Sequence, residues 1–221
     1  PHTGKAEDFQ TYEELFEAFK TQLKHAVDIK IRGNLVIEKI FAEMMPAPFL
    51  SIVTDDCITK GKDYNAGGPR YNVTYIQGVG IGTISDCLSA IKYNVFDNKK
   101  FTMAELIQAL NDNFEGHERI FNLVSNHSPK YGNDDDYVDS IARDLADFFY
   151  DEVTKYDDLY GNHFVTAFMG ISNYLPTGKV LGATPEGRHA KDPINEGVSP
   201  YTGSDKSTCL AALRSAAKMK H

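Results

Sequence analysis

Apolar residues recur at helical spacing along the first forty residues of the chain. Thr11 and Glu14 precede the repeat with the spacing of a capping box, which starts a helix. The repeat continues beyond Gly33 and stops before Pro46, so it predicts either one bent helix or two. The first apolar stripe consists of Leu15, Phe19, Leu23, Ala26 and Val27.

The same period predicts shorter helices further along the chain. A second capping box, Thr102 to Glu105, begins one of them, and Thr83 or Ser85 is the predicted cap of another. Asn133 and the three aspartates after it favour a helix start, because they supply a cap and first-turn negative charge. The predicted ranges are about 84–96, 102–114, 118–124, 136–149 and 210–218.

Strand patterns are short and few. Residues 71–76 alternate and are rich in β-branched and aromatic side chains, which predicts a strand. The apolar run 164–174 predicts a buried strand, and 49–53 has the character of a strand or a buried turn. With the helices, these patterns predict the α/β class, mostly helical with short buried strands. We find no repeat and no linker that would separate two domains.

Three glycines, Gly78, Gly80 and Gly82, lie between the strand predicted at 71–76 and the next helix. A phosphate-binding loop also joins a strand to a helix. The GxGxxG spacing and the P-loop lysine are both absent, however. The pattern therefore favours a tight turn packed against another backbone.

Composition narrows the classes of partner and cofactor. The 221 residues carry 23 Lys and Arg against 31 Asp and Glu, a net charge of −8. We expect no nucleic-acid partner, because phosphate binding needs clustered cations. We expect no membrane partner, because no apolar run approaches the ~18 residues of a membrane span. The seven histidines show no HxxxH or HExxH spacing, which argues against a metal enzyme of that type. Three widely separated cysteines favour a reducing, cytoplasmic location over a disulfide framework.

A turn of specific composition stands at Gly182–Arg188, in the sequence GATPEGR. Its proline occupies the second turn position and its glycine closes the turn. Arg188 follows directly, where its guanidinium can donate to free carbonyls or to a carboxylate. Three further motifs follow it in order: EGVSP (196–200), GSDK (203–206) and SAAKM (215–219). Four precede it: PAPFLS (46–51), DDC (55–57), GGPRYN (67–72) and QGVGIGT (77–83).

In this order the motifs closely resemble glycyl radical enzymes of the pyruvate formate-lyase type, over nearly the whole chain. The resemblance implies a ten-stranded α/β barrel of two parallel half-sheets wrapped by helices. In this family a glycyl radical takes a hydrogen atom from a cysteine, whose thiyl radical takes one from a small-molecule substrate. The resemblance also implies a homodimer and a partner enzyme, carrying an iron–sulfur cluster and S-adenosylmethionine, that installs the radical.

Within the family, YIQGVGIGT (75–83) and KYGNDDDY (130–137) are most similar to the dehydratase and decarboxylase branches. This implies an enzyme that acts on a small hydroxylated or carboxylated substrate. Formate C-acetyltransferase and arylacetate decarboxylase are the alternatives within the family. An alternative of another class is a non-catalytic helical interaction module.

Two motifs of the family's chemistry are absent from this sequence: a Gly-Cys-x-Glu loop and an Arg-Val-x-Gly-Tyr segment. We therefore expect residues 1–221 to be the C-terminal portion of a pyruvate formate-lyase-like domain without the catalytic cysteine loop and the glycine radical domain. Such a chain supplies part of the barrel wall. It has no catalytic residue of its own and no activity alone.

Ser172, Asn173 and Tyr174 are the predicted substrate-binding residues. By resemblance, the segment before GATPEGR lines the substrate cavity, where a Ser or Asn can hold a hydroxyl or carboxylate. The alternative is that these residues only cap the end of a strand. Tyr174 stands where family members often carry another side chain, which leaves the substrate open. Arg188 and Asp205 are expected to hold the Gly- and Pro-rich segment in place.

Overall fold

The computed structural model describes residues 1–219 and is mostly helical. Two strands of three residues each occur in this range, β1 (Tyr75–Gln77) and β2 (Val165–Ala167), and a π-helical stretch, Lys92–Asp97, continues the fourth helix. The helices are α1 (Tyr12–Met44), α2 (Pro48–Val53), α3 (Cys57–Lys60), α4 (Ile81–Ile91), α5 (Met103–Asn111), α6 (Glu118–Asn126), α7 (Asp136–Val153), α8 (Tyr174–Val180) and α9 (Cys209–Ala217). The coarse prediction of a largely helical chain with few strands is confirmed.

Helix α1 is one uninterrupted helix of 33 residues, which settles the choice between one helix and two. At its start Glu14 N donates to Thr11 Oγ1 at 3.2 Å and Thr11 N donates to the Glu14 carboxylate at 3.4 Å. The predicted capping box is therefore confirmed. Gly33 lies inside the helix because an isolated helical glycine costs only about 1 kcal/mol relative to alanine.

The chain forms two compact units. Unit 1 contains residues 1–21, 77–148 and the described residues from 168 onward, and unit 2 contains residues 22–76 and 149–167. Helices α1 and α7 contribute residues to both units. No linker marks this division in the sequence, because each unit is assembled from segments that are distant in sequence.

The core of unit 1 is built from the apolar faces of α4 to α7. On α7 the apolar residues Val138, Ile141 and Leu145 are buried, and Phe148 and Phe149 are partly buried. Helix α5 begins with the predicted capping box, in which Glu105 N donates to Thr102 Oγ1 at 3.2 Å and Thr102 N donates to the Glu105 carboxylate at 2.7 Å. Local signals and burial therefore agree in this unit.

Helix α9 is attached to the start of α7 by charged groups. The Lys218 ammonium lies 2.8 Å from carboxylate oxygens of Asp134, Asp136 and Asp139. Ser215 Oγ donates to the Asp139 carboxylate at 3.0 Å. Asn133 and the three aspartates at 134–136 were predicted to cap and start a helix. Tyr137 N does donate to the Asp135 carboxylate at 3.0 Å, but the aspartates also bind α9.

The core of unit 2 is smaller. Val27, Ile31, Ile76, Val153 and Phe164 form it. Unit 2 also leaves an apolar surface exposed, here called the α1–α3 apolar face. It consists of Val36, Ile40, Met44, Phe49, Ile52, Val53 and Ile58.

Three strand predictions were wrong in extent or type. Residues 48–53 form the exposed helix α2, whose first residue is Pro48; proline is favoured there because its missing N–H has no partner in a first turn. Of the predicted strand 71–76, only Tyr75 and Ile76 pair in the ladder, which extends to Gln77. Of the predicted strand 164–174, only Val165–Ala167 is extended in a ladder, because the chain then enters a turn and α8.

The glycine run before α4 is the tight turn that its sequence predicted. Gly80, with φ +91°, is the N-cap of α4, so the predicted caps Thr83 and Ser85 were wrong by three and five positions. Glycine takes this position because φ > 0 is costly for residues with a Cβ. A Cβ on Gly82 would lie 2.9 Å from Ser199 O, so the turn packs directly against another stretch of backbone.

Candidate substrate-facing loop after the second strand

Strands β1 and β2 run in the same direction and end side by side. Val165 N donates to Thr74 O at 3.1 Å before the ladder, and Gln77 Nε2 donates to Met169 O at 2.8 Å after it. The register therefore advances along both strands together, as it does in a parallel pair. In α/β proteins the carboxyl ends of parallel strands are where ligands bind. The residues that follow β2 are placed at such an edge.

Ser172, Asn173 and Tyr174 lie just beyond this edge, in the turn that starts α8. They do not end a strand, which corrects the local structure predicted for them. Leu175 N donates to Ser172 O at 3.2 Å and Thr177 N to Asn173 O at 3.1 Å, so only their carbonyls take part in the turn. The side chains of Ser172 and Asn173 are exposed, that of Tyr174 is partly buried, and none of the three hydrogen-bonds to a residue within 1–219.

Two glycines hold this loop by close backbone packing. Gly197 has φ +50°, and a Cβ on it would lie 2.7 Å from Met169 C and from Gly170 N. Gly178, in α8, approaches Asp192 O and would collide with it if it carried a side chain. The loop position is therefore fixed from both sides, while its exposed side chains stay unengaged. Sequence reasoning did not assign this function to Gly178 or Gly197.

Asn195 ties the same region to the first turn of α4. Thr83 N donates to Asn195 Oδ1 at 2.7 Å, and Asn195 N donates to Thr83 Oγ1 at 3.0 Å. Asn195 Nδ2 also donates to Ser199 O at 2.7 Å, within the EGVSP motif. The neighbouring Glu196 is exposed, and its carboxylate would lie 3.7 Å from a Cβ placed on Gly170. Glu196 thus adds negative charge beside the loop, a feature that the sequence did not single out.

Arg188 is buried and holds the GATPEGR segment together, as predicted. Its Nε donates to Thr184 Oγ1 at 2.9 Å, and its Nη1 donates to His189 O at 3.1 Å and to Asp192 O at 2.6 Å. Its Nη2 donates to Gly182 O. A planar guanidinium suits this task because its fixed donors reach several carbonyls at once.

Asp205 does not hold the segment, contrary to expectation. It is exposed, and its carboxylate makes no hydrogen bond or ion pair with any residue from 1 to 219. Asn133 does this instead. Its Oδ1 accepts from Lys206 N at 2.8 Å and Ser207 N at 3.0 Å, and its Nδ2 donates to Ser204 O at 2.9 Å. An amide is suited to the position because it both accepts and donates.

Two buried titratable groups lie under the segment and have structural contacts. Asp86 accepts from Tyr131 N at 2.7 Å, and burial raises the pKa of Asp86 to about 7. Cys87 donates to the Glu186 carboxylate at 2.9 Å, and burial followed by that negative charge raises the pKa of the thiol well above its usual value. A buried thiol of raised pKa is a poor nucleophile.

The part of the chain that the structure describes holds no cluster of three or more His, Cys, Asp or Glu side chains placed to bind a metal ion. Cys57, Cys87 and Cys209 are all free thiols. Within residues 1–219 no helix combines the length and apolarity that a membrane crossing demands. The geometry thus offers an exposed polar loop on a rigid support, with the Glu196 carboxylate beside it.

The fold and the loop define the class of protein. The family model described as "Pyruvate formate lyase-like" matches residues 1–178, and the chain belongs to this family. The resemblance stated from the motifs is therefore confirmed.

Individual relatives are more specific. The chain is 53% identical to trans-4-hydroxy-L-proline dehydratase of Clostridioides difficile over 219 residues, which is 99% of this chain and 28% of that protein. The crystal structure of that hydroxyproline dehydratase with trans-4-hydroxy-L-proline bound matches with a TM-score of 0.95, over 100% of this chain and 28% of that one. The glycerol-bound B12-independent glycerol dehydratase of Clostridium butyricum matches with a TM-score of 0.93 at 39% identity, over 100% of this chain and 28% of that one.

Proposed function

We propose that this chain forms part of the wall of a glycyl radical dehydratase or lyase and is inactive alone. The observation that carries the proposal is 53% identity to trans-4-hydroxy-L-proline dehydratase along 99% of this chain. The chain spans only 28% of that relative, so the complete activity belongs to a longer polypeptide. The ten-stranded barrel and the homodimer are part of the same proposal.

The substrate is a small hydroxylated or carboxylated molecule. Trans-4-hydroxy-L-proline carries both groups, and it is the molecule bound in the relative with a TM-score of 0.95. Ser172, Asn173 and Tyr174 face the cavity and bind the substrate. The exposed side chains of Ser172 and Asn173 and the partly buried side chain of Tyr174 are available to hold a hydroxyl or carboxylate, while Gly197 and Gly178 keep the backbone rigid.

The reacting groups are supplied from outside these residues. A glycyl radical, installed by an activating enzyme with an iron–sulfur cluster and S-adenosylmethionine, supplies hydrogen-atom abstraction through a cysteine. Cys87 is unsuited to that chemistry because it is buried and bonded to Glu186. The residues of this chain position the substrate and exclude water, which protects reactive intermediates in a closed site.

The test is turnover by the protein encoded by the complete reading frame, activated anaerobically. We expect dehydration of trans-4-hydroxy-L-proline rather than of glycerol or choline, and no cleavage of pyruvate with coenzyme A. Ser172→Ala and Asn173→Ala should raise KM about tenfold or more, since each removes a hydrogen bond to substrate. Thr202→Ala, at another exposed position, is the matched control. The isolated 221-residue chain should show no turnover.

A reading frame without Gly-Cys-x-Glu and Arg-Val-x-Gly-Tyr segments would refute the proposal and favour the non-catalytic module. Activity on pyruvate with coenzyme A, or on an arylacetate, would keep the family and overturn the substrate class. Unchanged KM in both loop variants would remove Ser172 and Asn173 from the site.

A further inference from the structure

Unit 2 contains a cavity beside α1 that the proposed function does not use. Its volume is about 250 Å³. We call it the Glu38 cavity, after the only carboxylate among its lining residues. It is lined by Ile37, Glu38, Phe41, Tyr64, Asn65, Asn72, Thr74 and Tyr160.

The Glu38 carboxylate is buried without a partner. Both of its oxygens are inaccessible to solvent, and neither accepts a hydrogen bond from any residue between 1 and 219. A carboxylate removed from water is costly unless a charge or donors compensate it. An orphaned carboxylate on a residue that lines an open cavity therefore indicates a missing cationic donor.

Two of the neighbouring donors, Tyr160 and Asn65, are engaged elsewhere. Tyr160 donates its hydroxyl to Asn65 O at 2.8 Å, and Asn65 Nδ2 donates to Met45 O at 2.7 Å. Lys60, Lys62 and Arg70 line a cleft that shares Asn72 and Tyr160 with the cavity, and Lys60 and Arg70 pair with Asp56. Internal rearrangement of these bonded groups is thus a poor source of the missing donor.

The remaining walls select the kind of cation. Phe41, Tyr64 and Tyr160 contribute three aromatic residues to the lining of the cavity, and aromatic faces attract organic cations. A calcium or magnesium ion prefers six or more oxygen ligands with several carboxylates or waters. One carboxylate among aromatic rings suits an alkylammonium or guanidinium group better.

We propose that the Glu38 cavity binds an organic cation, an alkylammonium or guanidinium group, through the Glu38 carboxylate and the surrounding rings. Two sources provide this chemistry: a free amine or guanidine, or a Lys or Arg side chain from elsewhere in a longer polypeptide. Only the second source rests on the proposed function. The site itself belongs to the 221 residues.

The probe for the test is n-butylguanidinium, with ligand-detected saturation-transfer NMR on the 221-residue chain as the measurement. We expect binding by the wild-type chain and at least about tenfold weaker binding by Glu38→Gln, since a charged hydrogen bond is lost. Glu43→Gln, on the exposed part of the same helix, is the matched control and should bind like wild type. Neutral N-butylurea should not bind, and potassium should not compete. Circular dichroism confirms that each variant is folded.

The longer polypeptide then distinguishes the two sources. Continued probe binding there identifies a free cation. Exclusion of the probe, with Glu38→Gln lowering the unfolding midpoint more than Glu43→Gln, identifies a basic side chain of the same polypeptide. Failure of the folded wild-type chain to bind the probe, or equal binding by Glu38→Gln, overturns the proposal. These readouts do not involve turnover, so their failure is separate from that of the proposed function.

Discussion

Replacement of Arg188 tests whether one buried guanidinium organises the segment that follows α8. The residue is 1% exposed and donates to three backbone carbonyls and to Thr184 Oγ1. Its Nε also lies 4.0 Å from the Glu186 carboxylate, whose side chain is equally buried. Arg188→Ala would leave these partly buried acceptors without their donor.

The loss of unfolding free energy in Arg188→Ala depends on the acceptors and the carboxylate that remain without a partner. An unsatisfied buried acceptor costs about 1–3 kcal/mol, and removing one partner of a buried ion pair costs about 3–5 kcal/mol. These contributions overlap because Glu186 keeps bonds from Cys87 and Thr184. We therefore expect Arg188→Ala to lower the free energy of unfolding by about 3–5 kcal/mol. Arg188→Lys should lose less, because it keeps the charge but not the planar set of donors.

The assay is urea unfolding of the 221-residue chain, followed by circular dichroism and analysed at constant m-value. Arg143→Ala is the matched control, because Arg143 is exposed and pairs only with the adjacent Asp144. That change should stay within about 0.5 kcal/mol. A loss below about 1 kcal/mol for Arg188→Ala, with unchanged m, would refute the reasoning about unpaired acceptors.

Three further predictions concern buried charge, the C-terminal helix and a close glycine contact. The pKa of Asp86 is about 7 in the folded chain, against an ordinary value of 3.8. The free energy of unfolding should therefore fall as pH rises between these two values, by up to about 4 kcal/mol. Asp86→Asn should flatten that slope in urea titrations from pH 4 to 8. Lys218→Met should speed amide hydrogen exchange in α9 and leave α6 unchanged, because it removes the cation shared by three carboxylates. Gly197→Ala should lower the melting temperature more than Gly203→Ala does. Both glycines have positive φ, but only at Gly197 would a Cβ lie 2.7 Å from other backbone atoms. Equal decreases in melting temperature would contradict this.

Local sequence signals predicted the six longer helices well, missed the short helices α2, α3 and α8, and predicted the strands poorly. The capping boxes at Thr11 and Thr102 form as expected, because their donors and acceptors lie within one turn. Strand extent depends on a neighbour that lies far away in the sequence. Residues 71–74 and 168–174 look like strand in composition, but the described range provides ladder partners only for 75–77 and 165–167. The start of α4 at Gly80 was missed for a similar reason, since the turn is set by packing against Ser199.

The order of the motifs identified the candidate loop, whereas the residues that hold the neighbouring segment in place were only partly predicted. The function of Arg188 was predicted because an arginine that directly follows a turn can donate hydrogen bonds to free backbone carbonyls. The prediction for Asp205 was wrong. Asn133 holds the segment instead, although it lies 71 positions before Ser204, whose carbonyl accepts a hydrogen bond from it. Nothing in the residues 130–137 alone indicates such a partner. Whether Ser172, Asn173 and Tyr174 contact a substrate stays a prediction. Their side chains make no hydrogen bond within residues 1–219.

The α1–α3 apolar face predicts how the isolated chain behaves in solution. Val36 is 60% exposed and Ile40 45%, one turn apart on α1, and α2 and α3 expose further large apolar side chains. Large apolar side chains each gain about 1.5–3 kcal/mol on full burial, and a contiguous patch of them favours association. We expect the 221-residue chain to self-associate with rising concentration in sedimentation experiments.

A charge-neutral double variant tests that expectation. Val36→Glu with Ile40→Lys keeps the net charge and adds a favourable i, i+4 pair on the helix, so it should yield a monomer without loss of helix content. The matched control exchanges the exposed pair Lys39 and Glu43, which leaves every apolar residue in place and should associate like wild type. If the control becomes monomeric as well, charge pattern rather than apolar surface drives the association. If the wild-type chain is monomeric at all concentrations, the exposed face does not associate with a second copy.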